Sequence, residues 1–229
     1  MVNRLGLVAL WAALLALLAG APEVAEARQG FFLGVGLAQQ SAKGDLDGSH
    51  VVTNSAGTEA LSDGSLDSGG GIALDIGYGF NNYIGVELML AATSNTSSAP
   101  GLPDTTAAVG SDLLGLRLTL PVGSALDLLA RVGVSGHAVI YPDRAFQGTQ
   151  SGGTFVASGP GKGNATFGGG GTAWGLGAEI FMGHVGLGLG WTEFTADINQ
   201  ASGGGISGSL PKTLHETFTV ADLTVAYHF

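Results

Sequence analysis

Large apolar residues alternate with small ones in segment after segment of this chain, and that alternation limits the fold more than any other feature. In Gly70–Phe80, Ile72, Leu74, Ile76, Tyr78 and Phe80 share one parity, while Ala73, Asp75, Gly77 and Gly79 share the other. In Tyr83–Thr93, Ile84, Val86, Leu88 and Leu90 oppose Gly85, Glu87 and Met89. In Asp112–Pro121, Leu114, Leu116, Leu118 and Leu120 oppose Gly115, Arg117 and Thr119. Gly170–Met182 and Val185–Thr195 repeat the pattern, with glycines opposite Leu176, Leu187 and Leu189. Ala221, Leu223, Val225, Tyr227 and Phe229 close the chain opposite Asp222, Thr224, Ala226 and His228. A period of two belongs to a strand, whose successive side chains point to opposite faces. With Phe31–Gln40 and Leu126–Ile140, eight strands are expected.

The direction of the bulk decides what kind of sheet this is. A soluble β-sandwich turns its apolar face inward and a charged face to water. Here the second face is mostly Gly, Ala and Thr, too small and uncharged for a solvated surface. Glycine is 41 of 229 residues, charged residues are 11%, and mean hydropathy is +0.35. Such a chain suits a narrow barrel with lipid outside and small residues within. Strands cross a membrane only as a closed ring, because open edges leave backbone groups unpaired in hydrocarbon.

The connections alternate in length. Asn81-Asn82, Val122 to Ala125 and Gly183-His184 are tight turns. Four long, polar segments lie between them: 41–69, 94–111, 141–169 and 196–212. This is the layout of bacterial outer-membrane barrels, with long extracellular loops and short periplasmic turns. An even strand count puts both ends on the periplasmic side. Before the first strand, Arg4, the apolar run Leu5 to Leu18 and Ala25-Glu26-Ala27 form the three-part pattern of a secretory signal. A spanning helix needs about 20 apolar residues, and Pro22 and Glu23 interrupt this run. The expected organisation is a signal peptide at 1–27 and a barrel at 28–229.

Parity also sorts the charges. Asp75, Glu87, Arg117, Asp127, Arg131, Glu179 and Asp222 all take the inward parity. Asp112 and Glu193 break it, at the long-loop ends of their strands. Asp75, Glu87, Arg117, Arg131 and Glu179 each lie about four to six residues from a short turn, so at roughly 3.3 Å per residue they share one level. An internal ion cluster of Asp75, Glu87, Arg117, Arg131, Glu179 and Asp222 is expected, acting as a polar plug in a lumen with room for little else. Rings are expected in two girdles: Phe31, Tyr78, Phe80, Tyr83, Tyr227 and Phe229 near the short turns, and Trp174, Trp191, Phe194 and Phe218 near the other rim.

Leu223, Val225, Tyr227 and Phe229 resemble the C-terminal signature of outer-membrane barrels, which the barrel assembly machinery reads. The whole mature chain resembles the small eight-stranded class of Gram-negative barrels that includes the OmpA membrane domain, OmpX and the opacity proteins. The resemblance implies a monomeric barrel among outer-membrane lipid and lipopolysaccharide, with surface loops that make the contacts.

Other chemistry is sparse. The net charge of −10 leaves no basic stripe for nucleic acid. There is no cysteine. Gly159-Pro-Gly-Lys-Gly163 fails the phosphate-loop spacing. Asp45, Asp47, Asp63 and Asp67 miss the spacing of a calcium loop. His50, His137, His184, His215 and His228 have no partner at metal-ligand spacing. No cofactor or metal is expected. Ser135 and His137 share inward parity, so a lipid A-modifying enzyme is one alternative to a surface-interaction barrel without enzymatic activity, and a small channel is another.

Overall fold

The computed structural model describes residues 28–46, 48–53, 59–99, 102–142, 144–148, 155–160, 164–203 and 206–229. The expected signal peptide lies outside them. Twelve strands are present: β1 (Gly30–Gly44), β2 (Gly48–Thr53), β3 (Glu59–Leu66), β4 (Gly69–Gly79), β5 (Ile84–Ala99), β6 (Leu102–Val122), β7 (Leu126–Tyr141), β8 (Arg144–Gly148), β9 (Phe155–Pro160), β10 (Ala165–Met182), β11 (Val185–Gly203) and β12 (Ile206–His228). Eight of them form a ring in the order β5-β4-β1-β12-β11-β10-β7-β6, which closes where β6 pairs with β5. Every pairing is antiparallel, and β1 meets β12 from Phe32↔His228 to Gly44↔Glu216. The expected up-and-down barrel of eight strands is therefore the observed fold.

The three short turns are built by local chemistry. Asn81 Oδ1 accepts from the backbone N–H groups of Tyr83 (2.8 Å) and Ile84 (3.0 Å), so the side chain stands in for a backbone turn. Gly123 and Gly183 adopt φ of 73° and 68°, which non-glycine residues rarely reach.

Burial is inside out relative to a soluble protein. Leu37 is 68% exposed and Leu189 64%, while Glu87 and Asp127 are each 1% exposed. The outer wall of large exposed aliphatic side chains is the lipid-facing surface, and the closed ring leaves no unpaired backbone edge against it.

Two expectations are corrected. First, the long segments are not simply loops. β5 and β6 stay paired up to Ala99↔Leu102, and β11 and β12 up to Gly203↔Ile206, so 94–111 and 196–212 are mostly extensions of the wall. β2 and β3 form a hairpin within 41–69, and β8 and β9 another within 141–169. Apolar periodicity ends where lipid ends, but the backbone ladder needs no large side chains and continues. Second, Phe194 and Phe218 do not belong to a girdle. Both are fully buried, with Leu113, Val139, Phe167 and Ile198 in one apolar cluster. Their even numbers put them opposite the outward Leu189 and Leu223. Trp174 and Trp191 do form a T-shaped pair on the outer wall, with centroids 4.9 Å apart.

Candidate functional site: the barrel interior

On β4, β5, β6, β7 and β10 a glycine or alanine faces the lumen two residues from an inward charge, which leaves room there for the charged side chains. A Cβ on Gly186 would come within 2.0 Å of Glu179 Oε1, and one on Gly190 within 2.4 Å of Asp222 Oδ1. The bare face of β11 is thus the space into which carboxylates from its neighbours project.

The charged side chains meet there. Arg117 Nη2 donates to Glu179 Oε2, and its Nη1 lies 3.4 Å from Glu87 Oε2. Arg131 Nε lies 3.2 Å from Glu87 Oε1, and its Nη1 lies 3.9 Å from Asp222 Oδ1. Glu87 therefore bridges the two arginines, and β5, β6, β7, β10 and β12 are tied across the lumen. Asp75 is buried at the same level and lines a residual void of about 10 Å³ with Asp222, Arg117, Arg131 and Glu179. It makes no ion pair among the described residues, and its Oδ1 accepts no hydrogen bond.

Four participants are absent from the sequence reading of the cluster. His228 Nε2 lies 2.9 Å from Glu179 Oε1. The Phe32 ring sits 4.5 Å beneath the Arg117 guanidinium, an arrangement favoured by the ring quadrupole. Met89 Sδ lies 3.0 Å from Arg131 Nη1. At the short-turn end, Arg28 grips Asp127 (Nη2 to Oδ1 2.8 Å, Nε to Oδ2 3.2 Å) and donates to the Gly123 carbonyl at 3.1 Å. His228 is marked in the sequence by the inward parity it shares with Asp222. Arg28 precedes the first strand, where no periodicity marks it.

Toward the other end the lumen changes character. His137 Nε2 lies 2.9 Å from Ser135 Oγ and its Nδ1 lies 3.1 Å from Ser111 Oγ. Gln40 Nε2 donates to Ser111 Oγ at 2.7 Å. The imidazole stacks on Phe218 at 5.1 Å and meets Phe194 edge-on at 5.4 Å. Both ring nitrogens thus engage hydroxyls, and among the described residues no carboxylate orients the ring. A Ser–His–acid triad needs that third group. Leu223, Val225, Tyr227 and Phe229 lie on the outer wall, all well exposed.

A closed antiparallel ring with a lipid-facing wall and a charged, filled interior defines a small outer-membrane barrel. The chain belongs to the outer membrane protein beta-barrel domain family, whose model matches residues 10–229. No match was found among curated proteins. Among solved structures it is similar to the outer membrane protein OprG from Pseudomonas aeruginosa, at 15% identity and a TM-score of 0.58, covering 88% of this chain and 97% of that one. It is similar to Neisserial surface protein A at 13% identity and a TM-score of 0.54, covering 87% and 97%. It is also similar to the outer membrane protein AlkL, at 16% identity and a TM-score of 0.53, covering 88% and 91%. At these identities the likeness is one of fold.

Proposed function

We propose that this outer-membrane barrel is a non-conducting, non-enzymatic scaffold that holds β-hairpins outside the cell for surface contacts. The observation that carries the reading is the filled lumen. The voids bordering the ion cluster measure about 10 and 20 Å³, and a single water needs about 10–15 Å³. A continuous aqueous path does not fit past Arg117 and Arg131. The extended ladders of β5–β6 and β11–β12 support the second half of the reading, because a rigid wall continued beyond lipid presents side chains at fixed spacing.

In this reading the termini and short turns lie in the periplasm, and the barrel works as a monomer. Protease added to intact cells then cuts near Arg144 or Lys162 and spares the turns; cleavage at the turns alone would invert the orientation. Lipid A from cells with and without the protein has the same mass spectrum. An altered acyl pattern would instead assign chemistry to Ser135 and His137.

A further inference from the structure

The outer wall carries a concavity that the scaffold reading does not use. On β4, β5, β6, β7 and β10, a groove of about 600 Å³ is bounded by Ile72, Leu74 and Leu90 and floored by Ala92, Gly110 and Gly136, and its deepest lining reaches the buried, inward-facing Ser111 and His137. It exists because neighbouring strands all present small residues outward at one place. A Cβ on Gly110 would find only the Ala138 carbonyl, at 3.9 Å, whereas one on Gly115 would strike the Val132 carbonyl at 2.1 Å. Packing therefore demands glycine at 115 but not at 110, where its effect is to leave space.

Asp112 lines the same groove. Its carboxylate leans over Gly136, where an added Cβ would lie 2.7 Å from Oδ1. No described side chain pairs with it. The only arginines on these five strands, Arg117 and Arg131, are buried in the lumen, and there is no lysine. Asp112 lies at the long-loop end of the lipid-facing part of its strand, where the wall meets the membrane interface, and an unpaired carboxylate there attracts a cation.

We infer that this groove binds a single-chain amphipathic cation, an alkylammonium, with Asp112 as its counter-ion. The apolar walls fit a hydrocarbon chain, and the volume falls in the range of about 300–1,000 Å³ for small-molecule sites. One chain with a compact head is the occupant the size allows. The acidic group selects a positive head over a neutral or anionic one.

The test uses the full barrel in phosphatidylcholine nanodiscs, with empty nanodiscs correcting for partitioning. Dodecyltrimethylammonium, dodecanol and dodecyl sulfate are titrated by calorimetry. The wild type binds the cation about five- to tenfold more tightly than dodecanol, and dodecyl sulfate least. Asp112→Asn erases the preference for the cation, and Gly110→Leu, which fills the groove, removes saturable binding of both. Heat-modifiable gel migration verifies that each variant is folded. In the wild type, dodecyltrimethylammonium also slows carbodiimide labelling of Asp112, read by mass spectrometry. Equal cation affinity in the wild type and Asp112→Asn, unprotected labelling, or tighter binding of dodecyl sulfate would each overturn the assignment.

Discussion

Arg117 is the residue on which most of the interior converges. It joins Glu87, Glu179 and the face of Phe32. Replacing it with methionine leaves two buried carboxylates without their cation. Removing one partner of a buried pair costs about 3–5 kcal/mol, so Arg117→Met lowers the urea midpoint of the lipid-refolded barrel accordingly. Arg117→Met combined with Glu179→Gln recovers part of that loss, because one fewer charge is stranded. The glycines make a complementary prediction. Gly186→Ala pushes a methyl into Glu179 and parts it from His228, whereas Gly110→Ala enters open space. Melting of the first variant falls clearly below that of the second; equal stabilities would mean the lumen is looser than drawn. Parity alone located the charged residues on the inner face. It did not say which would pair, because pairing depends on depth and side-chain reach, and Asp75 shares the level without gaining an ion pair.

At the scale of the strand, the interior divides into an ionic half near the short turns and an aromatic half beyond it. Phe194 and Phe218 fill the second half. Large-to-small changes in a packed core cost about 3–5 kcal/mol for Phe→Ala. Phe218→Ala therefore destabilises the barrel in chemical denaturation far more than Leu37→Ala, whose vacated space lipid chains can occupy. The opposite ranking would return Phe218 to the lipid rim. The lipid-spanning part of each strand was legible in the sequence, since alternation of bulk is imposed by lipid on one side and a narrow lumen on the other. The extensions were not. Thr93, Asn95 and Ser97 point inward past the lipid belt, but their polar neighbours on the outer face resemble a loop to any reading based on hydropathy.

For the molecule as a whole, closure and filling act together. The β5–β6 and β1–β12 pairings leave no edge in the ring, and the arginine–carboxylate network braces it from within. The eight wall strands and the short turns between them were readable because each follows from the membrane as solvent. What the hairpins would contact was not, because surface contacts obey no periodicity. The central claim is that the plug seals the lumen, and planar-bilayer recording of the purified, folded barrel tests it most directly. The account predicts a silent membrane across the physiological voltage range. Stable, stepwise conductance from the wild-type barrel would contradict it.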